Sequence, residues 1–333
     1  MHILVCGGAG YIGSHMVQLL IERGHDVTVF DNLSTGHRDA VLGGHFEFGD
    51  LADSAALDRV LNAHEFDAVM HFAAFIRVEE SVALPGKYYR NNFSNTLNLL
   101  EAMVRNGARR FIFSSTAAVY GEPQYVPVDE KHPRVPINPY GASKRMVEDA
   151  LFDYAAAHGL QSVILRYFNA AGADPQARLG PRHDPLTHLI PLVLRAAAGI
   201  NPNIKIFGHD YSTPDGTAVR DYIHVSDLCE AHLAAIDYLQ KGGETRAFNL
   251  GVGRGYSVQE VVDAVRRVTG REFEVVSEGR RPGDPAKLVA DPSLANKTLG
   301  WKARYGDIDT IVAHAWAWQL KTMAEPPPSQ PSP

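Results

Sequence analysis

Two kinds of apolar pattern alternate through the first half of the chain. Short continuous runs at Ile3 to Val5, Asp26 to Phe30, Phe46 to Phe48, Ala68 to Phe72, Phe111 to Ser114 and Ser162 to Arg166 read as buried strands. Between them, apolar residues recur at helical spacing. Ile12, Met16, Leu19 and Leu20 form one such stripe, ending at Arg23-Gly24. Further helices are predicted over Leu57 to Ala63, Tyr88 to Asn106 and Tyr140 to His158, the last stopped by Gly159. This alternation predicts an α/β fold with a doubly wound parallel sheet.

The second half is less regular. Residues 172–218 are rich in proline, glycine and polar groups and read as a substrate lobe built from insertions. Arg220 to Ala235 reads as a strand and a helix that return to the first lobe. Tyr256 to Thr269 is a predicted helix, with Ser257 and Glu260 in capping-box positions. Thr310 to Gln319 is the last predicted helix. The expected division is a Rossmann-type lobe over 1–170, with 220–240 returning to it, and a smaller C-terminal α/β lobe over 171–324. A disordered proline-rich tail is expected over 325–333.

In such sheets, ligands lie beyond the carboxyl ends of the strands. Asp50, Ala73, Ser114 to Thr116 and Tyr167 to Asn169 all fall at predicted strand ends and should converge on one cleft. The first turn carries Gly7, Gly10 and Gly13. Gly7 permits a tight turn, Gly10 lets backbone approach phosphate oxygens, and Gly13 lets the helix close on the strand. Asp31 ends the second strand, 18 residues after the last of these glycines. Its carboxylate can accept from ribose hydroxyls and would repel a 2′-phosphate. The unit therefore predicts a dinucleotide site and favours NAD.

Tyr140 and Lys144 lie four residues apart at the start of one helix and share a face. Lowering a tyrosine by about 3 pKa units takes about 4 kcal/mol. An ammonium about 4 Å away supplies about 4 kcal/mol at an effective dielectric near 20. That spacing can turn Tyr140 into a general base beside a dinucleotide, with the Thr116 hydroxyl steadying the proton. A cofactor cradle combined with such a pair points to hydride-transfer chemistry.

Composition narrows the class further. The formal net charge is −6 with no long basic run, which does not suggest a nucleic-acid partner. No apolar stretch approaches the roughly 18 residues of a membrane span, and the N-terminus lacks a signal-peptide pattern. Cys6 and Cys229 read as buried thiols in a reducing compartment, with the cytoplasm expected. The 15 histidines show no metal-ligand spacing, so no metal site is expected.

Several longer segments carry a resemblance. They are GGAGYIGSH from Gly7, Asp31-Asn32-Leu33, His71-Phe72-Ala73-Ala74, SSTAAVYG at Ser114 to Gly121, NPYGASK at Asn138 to Lys144, RYFNAAGA at Arg166 to Ala173, DGTAVRDYIHVSDL at Asp215 to Leu228, and Phe248-Asn249-Leu250-Gly251. The chain resembles the extended short-chain dehydrogenase/reductase family, and within it the nucleotide-sugar 4-epimerases, over nearly its whole length. The resemblance implies an NAD-dependent isomerase that interconverts UDP-glucose and UDP-galactose. Oxidation at sugar C4, rotation of the 4-keto sugar and re-reduction would leave the cycle redox-neutral. A homodimer paired through the two long helices is implied too.

Carried over by resemblance, Thr116, Tyr140 and Lys144 would be catalytic. Gly7, Gly10, Tyr11, Ile12, Gly13, Asp31, Asn32, Asp50 and Leu51 would meet NAD. So would Phe72, Ala73, Ala74, Asn91, Ser114, Tyr140, Lys144 and Tyr167. Thr116, Tyr140, Asn169, His188, Leu189, Arg220, Arg281, Asp284 and Leu288 would meet the UDP-sugar. Two arginines suit a pyrophosphate. Two positions depart from well-known relatives. Phe75-Ile76-Arg77 stands where several have a lysine. Leu288 stands where some have a tyrosine, which leaves room for a 2-acetamido group. Sugar-nucleotide 4,6-dehydratases carry an Asp-Glu pair where this chain has Ala117-Ala118. Epimerases of UDP-N-acetylhexosamines or UDP-uronic acids, a nucleotide-sugar 4-reductase and a non-catalytic NAD-binding regulator remain as alternatives.

Overall fold

A computed structural model describes residues 1–281 and 283–325; the expected tail at 326–333 lies outside the described residues. The chain opens with β1 (His2–Cys6), α1 (Tyr11–Glu22), β2 (Asp26–Asp31), β3 (His45–Phe48), α2 (Ser54–Ala63) and β4 (Ala68–His71). There follow α3 (Val78–Ala83), α4 (Pro85–Tyr88), α5 (Asn95–Arg105), β5 (Arg110–Thr116), α6 (Pro139–His158) and β6 (Gln161–Tyr167). Next come β7 (Asn169–Ala171), α7 (Leu189–Ala197), β8 (Asn203–Phe207), β9 (Val219–Arg220), β10 (Tyr222–His224) and α8 (Val225–Gln240). The chain ends through β11 (Arg246–Leu250), β12 (Tyr256–Ser257), α9 (Val258–Thr269), β13 (Glu274–Glu278), β14 (Lys287–Leu288), α10 (Ser293–Leu299) and α11 (Ile308–Ala324).

Seven parallel strands form the main sheet in the order β11-β6-β5-β4-β1-β2-β3. The order reverses between β1 and β4, so a crevice opens at the carboxyl ends of those strands. β1 and β4 are buried on both faces, which is why they read as continuous apolar runs. One face packs against α1 and α8 through Met16, Leu20, Leu228 and Ile236. The other packs against α2, α5 and α6 through Leu57, Leu99, Val147 and Leu151. A separate core joins α7, α9 and α11 through Val193, Val261 and Ile311. Among the described residues, no helix is long and apolar enough to cross a membrane.

Three features differ from the sequence expectation. The predicted Tyr88 to Asn106 helix is broken by a π-helical turn at Tyr89–Ser94, between α4 and α5. The irregular stretch 172–218 contains α7 and β8, whose neighbours in sequence are proline and glycine. The sheet also recruits β11, beyond the returning segment inferred from sequence, and pairs it in parallel with β6. The capping box is present: Ser257 Oγ accepts from the Glu260 N–H, and Glu260 accepts from the Ser257 N–H at 2.7 Å.

Candidate active site

The glycine turn is shaped by contacts that admit no side chain. Gly7 has φ +80°, and a Cβ there would lie 2.5 Å from the Ala73 nitrogen. A Cβ on Gly13 would strike the Gly7 carbonyl oxygen. Gly10 differs, because its Cβ would meet only the Gly7 oxygen, at 3.4 Å. The space before it is open, and no side chain caps α1. The start of α1, at Tyr11, Ile12 and Gly13, thus offers N–H groups to an anion in the place a dinucleotide pyrophosphate requires.

Asp31 lies at the rim of this turn and is nearly buried. Its oxygens accept from the Ala9 N–H at 2.9 Å and the Leu33 N–H at 2.8 Å. Burial raises its pKa, opposed by those two bonds. A second anion would be disfavoured beside it, whereas ribose hydroxyls can use its remaining lone pairs. Asn32 donates to Asp50 at 2.7 Å, tying the β2 and β3 ends together, and Asn98 on α5 donates to the Leu51 carbonyl at 3.2 Å. These features fit NAD.

Phe72, Ala73 and Ala74 follow β4 and form the floor against Gly7. Beyond them, Asn92 pins the chain: it accepts from the Phe75 N–H and donates to the Phe75 carbonyl, both at 2.9 Å. The expected cofactor residue Asn91 is its neighbour in the π-helical turn and donates to Asn92 at 2.9 Å. The sequence reading missed Asn92, although an Asn-Asn pair inside a predicted helix is an available signal. π-Turns often mark functional sites.

Tyr140, Lys144 and Thr116 come together beside this floor. Thr116 accepts from the Ala118 N–H at 3.1 Å, leaving its hydroxyl proton for the Tyr140 phenol. Tyr88 meets Tyr140 edge-on with ring centroids 6.5 Å apart. Lys144 is buried and donates to the Ser114 carbonyl at 2.7 Å, over the Phe113 ring. Burial, partly offset by Glu148, lowers the lysine to about 7. The phenol itself is raised by burial, with only Thr116 lowering it. The Lys144 ammonium is held on the Ser114 carbonyl, on the helix face it shares with Tyr140. Tyr167 closes this wall. His232 Nδ1 donates to the Leu228 carbonyl at 2.8 Å, so Nε2 accepts from the Tyr167 hydroxyl at 2.6 Å. Ser114 Oγ is 2.7 Å from the same hydroxyl.

Beneath lies a charged hub that the sequence reading also missed. Glu148, one turn after Lys144, is fully buried. It accepts from Ser115 Oγ at 2.5 Å, Arg166 Nη2 at 2.6 Å and Arg134 Nη1 at 3.0 Å. Arg166 also donates to Tyr120 at 2.9 Å, and Tyr120 to Asn249 at 2.6 Å.

The expected sugar-nucleotide residues occupy the opposite wall. Tyr11, Asn169, Gly172, His188, Leu189 and Tyr222 line a pocket open to solvent. Tyr11 donates to the Gly172 carbonyl at 2.6 Å, joining the glycine turn to this wall. His188 stands 3.2 Å from His183, and burial lowers it to about 4, so it is neutral at pH 7. Arg220 and Leu288 are register partners in β9 and β14. Arg220 is ion-paired with Asp284. Arg281 lies 3.7 Å from Glu79 on α3 and 3.9 Å over the Phe207 ring. The two arginines are thus gathered at one end of the cleft, each facing a carboxylate.

Residues 3–251 match the family described as the NAD dependent epimerase/dehydratase family. The chain belongs to it. A UDP-glucose 4-epimerase of Rhizobium leguminosarum bv. trifolii is 52% identical over 320 residues, covering 96% of this chain and 98% of that one. Among solved structures, UDP-glucose 4-epimerase from Brucella ovis in complex with NAD superposes with a TM-score of 0.93. It is 49% identical, covering 95% of this chain and 97% of its own. The UDP-Glc/GlcNAc 4-epimerase from Campylobacter jejuni gives a TM-score of 0.85 at 44% identity, covering 96% and 99%. The family's NAD dependence agrees with the glycine turn and with Asp31.

Proposed function

We propose that this protein is a UDP-glucose 4-epimerase, an isomerase that interconverts UDP-glucose and UDP-galactose at sugar C4. The observation that carries this reading is the meeting of Tyr140, Thr116 and buried Lys144 at the floor of an NAD cradle, opposite Arg220 and Arg281. Near-full-length similarity to curated UDP-glucose 4-epimerases supports it.

Gly7, Gly10, Gly13 and Asp31 would hold NAD, which when bound accepts a hydride from C4 and returns it. Tyr140, in its ionised form, takes the proton of the sugar 4-hydroxyl at its phenolate oxygen, and Thr116 holds that oxygen in line. Lys144, fixed by Ser114, places a positive charge along the face that Tyr140 shares. Arg220, Arg281 and Asp284 grip the UDP moiety, exchanging their present ion pairs for phosphate and ribose oxygens. Asn169, His188 and Leu189 enclose the hexose. On this reading residues 1–170 form the cofactor lobe and most of the remainder the substrate lobe.

Leu288 favours a second substrate class. It packs against Ala117, Val119 and Phe168 without the bulk of a tyrosine, which suits UDP-N-acetylhexosamines as well. The solvent-facing Phe152 on α6 suits a homodimer built through α5 and α6. Two buried free thiols, Cys6 and Cys229, suit a cytoplasmic setting.

The test is conversion of UDP-galactose to UDP-glucose by purified protein with no NAD added. Product establishes the reaction and a retained cofactor. Rescue by added NAD keeps the chemistry and removes tight retention. No product with NAD present overturns the assignment and directs the assay to UDP-N-acetylgalactosamine.

A further inference from the structure

Tyr211 lies on the loop between β8 and β9 and is only 6% exposed. Its ring is clamped. A Cβ on Gly208 would lie 2.5 Å from it, and the Arg280 guanidinium covers it at 4.3 Å from the centroid. Its backbone N–H is bonded to the Gly216 carbonyl at 3.0 Å. The phenol oxygen, by contrast, is buried with no hydrogen-bond partner. Buried hydroxyls in folded proteins nearly always find one, and leaving one unmet is costly.

Four charged groups act electrostatically on that phenol. They are Asp284, Arg220, Arg280 and Asp210. Arg280 and Asp210 are bound to each other at 2.6 Å on the exposed side. Arg220 and Asp284 are the pair at the substrate end of the cleft. Burial raises the phenol's pKa, so it remains an O–H donor at neutral pH. A donor held rigidly by its ring, unsatisfied and within electrostatic reach of an arginine–carboxylate pair, is suited to an anionic oxygen brought in by that arginine.

We propose that Tyr211 is a further substrate-binding residue, whose hydroxyl donates to an oxygen of the UDP moiety gathered by Arg220 and Asp284. The proposal rests on the reading of those two residues as substrate ligands. It predicts that Tyr211 gains its hydrogen bond only in the nucleotide complex, so it contributes to binding and not to the stability of the free protein.

Tyr211→Phe tests this, because the ring and its packing are retained. Titration calorimetry with UDP, on the cofactor-loaded protein, should give a Kd about tenfold higher than for the parent. The KM for UDP-galactose should rise in parallel, with kcat within about twofold. The melting temperature without nucleotide should be unchanged or higher, since an unmet donor is removed. An unchanged UDP Kd, or a lower melting temperature without nucleotide, overturns the proposal. Arg220→Ala measured alongside separates the two readings. Weakened UDP binding there with an unchanged Tyr211→Phe removes Tyr211 alone, whereas unchanged binding in both removes the reading of the Arg220 end itself.

Discussion

The two walls of the cleft are built on opposite electrostatic plans. On the wall of β5, α6 and β6, the charges nearest the site, Glu148, Arg166 and Lys144, are buried. Glu148 accepts from a serine and two arginines, and Lys144 is fixed on a carbonyl. On the wall of β9, β14 and the 281–284 loop, each cation faces one carboxylate, Arg281 half-exposed and Arg220 opposite a partly exposed Asp284. The first arrangement holds proton-transfer groups in place before substrate arrives, which avoids reorganisation during reaction. The second can exchange partners, because an exposed ion pair is worth little and a diphosphate outbids one carboxylate for an arginine. Preorganisation belongs where protons move, and exchangeability where a ligand must enter and leave.

The sharpest way to break this contrast is Tyr140→Phe. Turnover should fall about a thousandfold or more, with the UDP Kd unchanged by calorimetry. Loss of UDP binding instead would show that the two walls are not separable. Glu148→Gln comes next. It leaves Arg166 without its carboxylate partner and removes the charge that raises the lysine's pKa. Lys144 should titrate further below about 7, moving the alkaline limb of the kcat profile to lower pH. Turnover at pH 8 should fall at least about tenfold, together with a lower melting temperature. An unmoved pH profile in a folded variant would reduce Glu148 to scaffolding.

Arg220→Ala should act on the other wall alone, raising KM about tenfold or more with little change in kcat. The smallest effect lies at the seam. Asp221 is fully buried and accepts from the N–H groups of Val252, Gly253 and Ala290. Burial raises its pKa to about 6, well above the ordinary aspartate range. The folded state then binds more protons than the unfolded chain between about 4 and 6, so this group's share of stability falls as pH rises through that window. Denaturant unfolding from pH 4 to 7 should show that slope in the parent and lose it in Asp221→Asn.

The first wall's scaffold was largely legible in the chain. Strands buried on both faces leave continuous apolar runs, and Gly7, Gly13 and Gly159 punctuate them where backbone or packing excludes a side chain. The glycine turn, Asp31 and the Tyr140–Lys144 face could be placed from spacing because all their geometry is local. The π-turn could not, since shifting backbone hydrogen bonds by one residue at Tyr89–Ser94 barely alters the apolar spacing around it. Nor could the direction of the Lys144 ammonium, which is set by Ser114 on a different element. Glu148 reads as an ordinary exposed helix charge until Arg166, 18 residues away on β6, folds over it. The second wall depends on short strands of two or three residues, too brief to leave a pattern.

β11 has one more consequence. The chain leaves the sheet after β6, builds most of the second lobe's approach, and only then lays residues 246–250 along the sheet's outer edge. A fragment ending near residue 170 would carry the whole glycine turn and both long helices yet expose the β6 edge, an invitation to strand-to-strand association. The cofactor half is therefore not a transplantable module. Recombination with a relative would have to exchange the chain on both sides of the excursion together, so inheritance of cofactor and substrate halves is coupled by topology.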